Sequence, residues 1–259
     1  MDILQAVLLG IVQGITEWLP VSSSGHLAIL QNLFGLGAPV LFDIMLHLGT
    51  ILAVVVVFWK EILEILKAVV KFDFTGENGK LAIFIIVAMV PTAIIGFAFK
   101  KTFESLFSNL TAIGIALIIT GCFLFICERF KRKAELGFKE SLLVGIAQGI
   151  AIIPGISRSG ATIGTGLLLG IEKEKVAKFS FLLSIPAIIG ASIFDFNATE
   201  LASVGWNYAL IGIIISAVVG YLTIKLLLNI IKKQKFWLFS IYCWILGAII
   251  VLGKVFNIL

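Results

Sequence analysis

The chain has 259 residues, of which 60% are hydrophobic and 14% charged, and its mean hydropathy is +1.13. A soluble domain of this size has too little interior to hide so much apolar surface, so the composition excludes a soluble globular enzyme, a disordered chain and a disulfide scaffold. The net charge of +5 does not indicate nucleic acid, because Lys and Arg sit in short connections between apolar runs, where cytoplasmic loops carry them.

The first apolar stretch, 3–34, is broken near its middle by Leu19-Pro20-Val21-Ser22-Ser23-Ser24-Gly25-His26. No cleavable leader is expected, because Gln13 and Glu17 interrupt this run and no small-residue cleavage site follows a basic start. Runs at 40–59, 81–99 and 110–127 are each long enough to span a membrane. A second broken stretch, 141–170, is interrupted by Pro154-Gly155-Ile156-Ser157-Arg158-Ser159-Gly160, and three further spans follow at 176–195, 207–228 and 236–256. Cys122, Cys127 and Cys243 lie inside apolar runs without CxxC spacing and read as small core hydrophobes. Irregular backbone survives at membrane depth only where protein or a wet cavity satisfies its polar groups. The two broken stretches therefore read as re-entrant hairpins that meet inside the protein.

The hairpins are copies of each other. Without gaps, Gly10, Ile11, Gln13, Gly14, Ile15, Ser22, Ser24 and Gly25 match Gly145, Ile146, Gln148, Gly149, Ile150, Ser157, Ser159 and Gly160. The fold predicted is an all-α polytopic membrane protein, one integral membrane domain over 1–259. Its two halves, about 1–127 and 136–259, each hold one re-entrant hairpin and three transmembrane helices. An odd number of spans per half makes the repeat inverted, and inverted repeats place sites near the midplane, where broken helices meet. Arg129, Lys131, Arg132, Lys133 and Lys139 mark 128–140 as cytoplasmic, and Lys225, Lys232, Lys233 and Lys235 mark 225–235. The 196–206 loop has no Lys or Arg and is expected outside. Threading from these anchors puts 60–80 inside and both termini outside, with Lys100 and Lys101 on the outside against the charge rule.

An ionisable group at membrane depth is a functional candidate by default. Glu17 lies one helical turn after Gln13, on the same face, and is a candidate base or metal ligand. Ser22, Ser23 and Ser24, followed by Gly25 and His26, set hydroxyls and an imidazole beside a helix break; this suits nucleophilic chemistry or, alternatively, helix capping. Around Arg158, Gly155, Ser157, Ser159, Gly160 and Thr162 offer an anion cradle at a helix start, with the guanidinium as a planar fork for phosphate oxygens. Ser23 is the repeat counterpart of Arg158, so the two are expected to face each other across the pseudo-twofold axis. Asp43 and His47, four apart on the first full span, read more readily as a structural pair than as site residues.

Gln13-x-x-x-Glu17, Pro20 to His26 and Pro154-Gly155-Ile156-Ser157-Arg158-Ser159-Gly160-Ala161-Thr162 together resemble the bacitracin-resistance type of undecaprenyl-diphosphate phosphatase. The similarity covers essentially the whole chain, including Leu46-His47-Leu48-Gly49-Thr50. The resemblance implies a cell-membrane hydrolase that cleaves a polyprenyl diphosphate to the monophosphate and phosphate, recycling the lipid carrier for envelope glycans. It implies Mg²⁺ or Ca²⁺ at Glu17 and Gln13, a Ser23 nucleophile, His26 as acid/base and Arg158 as phosphate clamp. The expected route has His26, aided by Glu17, taking the proton of Ser23; attack by a metal-bound water is the competing route. Gln13 replaces one possible carboxylate, which weakens a two-carboxylate metal site, and Ser24 stands where some relatives carry Thr. The active site is expected to face outside. Membrane lipids and a second copy of the chain are the other expected partners, and nucleic acid is not one.

Two other functions are consistent with parts of the pattern. A polyprenyl-phosphate flippase or transporter fits the inverted repeat but has less need of the Ser/His/Arg/Glu cluster. The unrelated acid-phosphatase type of lipid phosphatase shares Ser24-Gly25-His26, but no Arg here precedes a Pro and no His follows His47.

Overall fold

The computed structural model describes residues 2–33, 35, 40–127, 134–194, 205–232 and 236–256. Arg129, Lys131, Arg132, Lys133, Lys233 and Lys235, which carry much of the loop-charge argument, lie outside the described residues, as does most of the 196–206 loop.

The described residues are helical almost throughout, with one isolated bridge between Ala134 and Ile171. Helices α1 (Ile3–Thr16) and α2 (Ser23–Leu33) form the first hairpin, and α8 (Phe138–Ile150) and α9 (Arg158–Leu169) the second. An arm of 14 residues, the longest of the four, rises only about 21 Å, short of a roughly 30 Å hydrocarbon core. Five helices are long and apolar enough to cross: α5 (Glu77–Ala98), α7 (Leu110–Cys127), α10 (Lys173–Phe194), α11 (Trp206–Lys232) and α12 (Leu238–Val255). A sixth candidate is the bent pair of α3 (Val40–Val57) and α4 (Trp59–Val70), which turn from one another by 84°. The remaining described helix is the short α6 (Lys100–Phe107). This set of apolar helices makes the chain a multi-pass membrane protein. Leu210, Ile214, Val218, Leu222 and Leu226 are exposed along one face of α11, and Ile86, Val90 and Ile94 along α5. Such stripes have no place on a soluble surface of this extent but suit lipid.

The segment 60–80, expected only as an inside loop, instead contains α4. Its apolar residues recur at helical spacing among Lys and Glu, the pattern of an amphipathic surface helix. The α6 helix was likewise not anticipated.

The halves interleave. Gly10 and Gly14 of α1 lie against Ile215 and Val219 of α11, and the matching Gly145 and Gly149 of α8 lie against Ala88 and Ile95 of α5. Each hairpin's first arm therefore packs on a span of the other half. Small residues one turn apart let the backbones approach closely, which is how helices gain dispersion energy in lipid. Where α7 meets α12 the approach is reciprocal: a Cβ at Gly247 would stand 2.6 Å from the Gly114 carbonyl, and one at Gly114 3.1 Å from the Gly247 carbonyl. Buried Trp18 anchors the core next to the first hairpin tip, edge-on to Phe181 of α10 at 5.4 Å.

Candidate active site

The two hairpin tips repeat one local geometry. Ser157 caps α9: its Oγ accepts from Gly160 N at 3.1 Å and pairs with Ser159 Oγ at 3.2 Å. Ser22 does the same for α2, accepting from Gly25 N at 3.3 Å and pairing with Ser24 Oγ at 3.3 Å. Ser22 Oγ also accepts from Gly155 N at 3.1 Å, and Ser159 Oγ donates to the Leu19 carbonyl at 3.1 Å. These bonds stitch the tips together. Ser22 reaches this position at a φ of 69°, a left-handed conformation uncommon for Ser. Gly155, at a φ of 96°, allows close approach to α7: a Cβ there would lie 2.5 Å from the Ile113 carbonyl oxygen.

Several residues expected to bind substrate are therefore occupied by the fold. Ser22, Ser157, Ser159 and Thr162 are buried. Thr162 Oγ1 meets Ser180 Oγ at 2.5 Å and the Arg158 carbonyl at 2.9 Å. Gly25 and Gly160 supply the capped amides. Ser24 is only partly buried.

Ser23 and Arg158 begin α2 and α9, each at the positive end of a helix dipole. Both reach Glu17. Ser23 Oγ donates to Glu17 Oε2 at 2.6 Å, and Arg158 Nη2 pairs with Glu17 Oε1. Gln13 Nε2 donates to Oε2 at 3.0 Å, as expected for two residues one turn apart. The Arg158 guanidinium also lies 5.3 Å from the centre of the Trp18 ring, so an indole supports one side of the fork. Arg158 Nη1 and Gln13 Oε1 are buried without a protein partner. Trp18 Nε1 is a further buried donor without a protein partner.

The imidazole that joins this cluster is His47. Its Nε2 lies 3.3 Å from Glu17 Oε2, and its Nδ1 lies 2.7 Å from the Asp43 carbonyl oxygen. Both ring nitrogens face oxygen acceptors, an arrangement that an imidazolium satisfies. His47 was read as half of a structural pair with Asp43. The structure joins them only through the Asp43 backbone, while the Asp43 carboxylate accepts from Gln31 Nε2 at 2.9 and 3.0 Å. The sequence signal for His47 is an ionisable group at membrane depth.

His26 turns away from Ser23. Its Nδ1 lies 2.8 Å from the Ser22 carbonyl, which fixes the proton there, and its Nε2 accepts from the Tyr242 hydroxyl at 2.7 Å. In this structure Ser23 Oγ contacts the Glu17 carboxylate, while both His26 ring nitrogens are engaged elsewhere. Tyr242 and Trp18 had not been linked to the site.

The fold and site define a membrane-embedded protein in which two helical hairpins gather a carboxylate, a guanidinium and a hydroxyl at one point, and α3 adds an imidazole. The chain belongs to the family of bacitracin resistance protein BacA, whose family model matches residues 6–249. It is 46% identical to an undecaprenyl-diphosphatase of Carboxydothermus hydrogenoformans, covering 96% of this chain and 97% of the relative. It is 43% identical to one of Desulforapulum autotrophicum (98% and 99%) and 39% identical to one of Methanosphaera stadtmanae (98% and 99%).

Proposed function

We propose that this protein hydrolyses undecaprenyl diphosphate to the monophosphate and phosphate, and so recycles a lipid carrier and protects against bacitracin. The near full-length similarity to relatives named for this activity supports the reading. The observation that carries it to particular residues is the Glu17 carboxylate held between Ser23 and Arg158.

In the mechanism, Arg158 binds oxygens of the terminal phosphate with Nη1, which has no protein partner. Glu17 Oε2 takes the proton of Ser23 as Oγ bonds to the terminal phosphorus. The bond from that phosphorus to the bridging oxygen breaks, and the polyprenyl monophosphate leaves. Water then attacks the phosphoserine, its proton passing to Glu17 and the Ser23 oxygen regaining one, which frees phosphate. His47 holds the Glu17 carboxylate in place and adds positive charge beside the developing anion. His26, tied to Tyr242 and Ser22, positions the tip.

The oxygen donors fit a hard divalent cation. Glu17 and the unpartnered Gln13 Oε1 would be its protein ligands, since Mg²⁺ is commonly held by one or two carboxylates plus substrate phosphates. Mg²⁺ or Ca²⁺ held there would neutralise charge on the diphosphate. We read the halves as inverted copies lying in the cell membrane with the site facing outside; the reciprocal packing of α1 on α11 and α8 on α5 supports the repeat. The test is phosphate release from a polyprenyl diphosphate by the purified protein in detergent, with and without Mg²⁺ or Ca²⁺, beside Arg158→Ala. Metal-dependent release lost in the variant is expected. No release from folded protein across several chain lengths overturns the reading in favour of a lipid transporter.

A further inference from the structure

Helix α4 has three distinct faces. Ile62 and Ile65 pack into the core. Glu61 pairs with Lys178 at 3.3 Å, and the exposed Glu64 accepts from Asn78 at 3.3 Å, so both carboxylates have partners within the protein. On the opposite side Trp59, Leu63, Leu66 and Val70 are 43–76% exposed at i, i+4, i+7 and i+11, one apolar stripe. Beside that stripe run Lys60, Lys67 and Lys71 at i, i+7 and i+11, all exposed. The chain then sets Phe72 at a φ of 54°, a left-handed conformation where Gly is usual at a helix end. It does so with the residue 81% exposed. A strained aromatic facing outward indicates an apolar medium on that side.

We infer that α4 lies in the headgroup layer of the bilayer, with Trp59, Leu63, Leu66, Val70 and Phe72 inserted at the acyl boundary and Lys60, Lys67 and Lys71 bound to anionic lipid phosphates. The 84° turn from α3 sets α4 across the end of a span, the direction an interfacial helix requires. Charge chooses the occupant: the α4 carboxylates are engaged by Lys178 and Asn78, three cations lie along the exposed apolar edge, and an anionic lipid surface complements that edge. This surface is separate from the Glu17 cluster, so the inference does not depend on the hydrolase reading.

The test is hydrogen–deuterium exchange of the full chain in nanodiscs of phosphatidylcholine alone or mixed with phosphatidylglycerol. Exchange over 59–72 is expected to slow by about threefold or more with the anionic lipid, and the gain to shrink at high salt. The combined variant K60Q/K67Q/K71Q loses the gain and K60R/K67R/K71R keeps it, while 110–127 is unchanged in every sample. Equal exchange in both lipids, or a gain kept by the Gln variant, overturns the inference. Protection that follows the number of protein copies per disc, regardless of lipid, also overturns it and assigns the face to a second copy.

Discussion

Ser23 and Arg158 occupy equivalent positions in the two halves of the chain, and they bind opposite oxygens of one carboxylate, Glu17. The repeat has diverged at this pair into a hydroxyl and a cation, and Glu17 has no counterpart carboxylate because Ile152 stands in its place. One half provides the carboxylate and the hydroxyl; the other provides the guanidinium.

Glu17→Ala leaves Arg158 without its buried partner. Breaking such a pair costs about 3–5 kcal/mol, so the variant is expected to unfold at a clearly lower temperature in detergent as well as losing phosphate release. Glu17→Gln keeps an acceptor for the guanidinium, so most of the thermal stability returns while activity stays at least about a hundredfold down. Thermal unfolding and phosphate release, measured on the same preparations, check both.

Ser23→Ala is expected to abolish turnover without loss of folding, and rapid acid quench of the wild type is expected to trap phosphate on residue 23. Full activity in the alanine variant would remove Ser23 as nucleophile and favour a water attack.

The two histidines separate by their contacts. His47→Ala removes a donor from Glu17 and is expected to lower kcat by about tenfold or more. Tyr242→Phe frees His26 Nε2 without touching Glu17 and is expected to change activity by less than about threefold. Steady-state kinetics with a soluble short-chain diphosphate distinguishes the two; equal losses would mean that His26 also reaches the substrate.

Gly155→Ala places a methyl 2.5 Å from the Ile113 carbonyl oxygen and 2.7 Å from Ala116 Cβ, at a φ of 96°. The expected cost is about 2 kcal/mol or more, from both the strained backbone and the clash. Because Gly155 N is also the bond that joins the tips through Ser22, the variant is expected to lose activity more than stability.

Asp73 lies in the turn between α4 and α5, outside the spans. Hydrogen bonds from the Thr75 hydroxyl, the Gly76 amide and the Thr75 amide hold its carboxyl below its ordinary value. A depressed folded value contributes stability to the turn above the unfolded value, and that contribution is lost as pH falls through the folded value. Amide exchange at Thr75 and Gly76, corrected for intrinsic rates, is therefore expected to be protected at neutral pH and released in acid. Asp73→Asn is expected to abolish the pH dependence.

Composition and local pattern were enough to determine the apolar spans, the two broken hairpins, the internal repeat and the candidates Glu17, Ser23 and Arg158. These signals are local: an apolar run, a Pro-Gly break or a buried charge announces itself within a few residues. Helix α4 was equally local, since Trp59, Leu63, Leu66 and Val70 share a period of one helical face, but its charges made it resemble a loop. Only the tertiary structure decided which polar groups meet. His47 reaches Glu17 because α3 is locked against α11, with Ser216 Oγ donating to the Leu46 carbonyl at 3.0 Å. That rotation depends on packing between segments 170 residues apart. His26 lies three residues from Ser23, yet its ring is drawn to Tyr242 of the last helix. The tip serines likewise find long-range partners, Gly155 for Ser22 and Leu19 for Ser159. Side-chain direction at a helix break is set by whatever satisfies its buried hydrogen bonds, and those partners come from the other half of the chain.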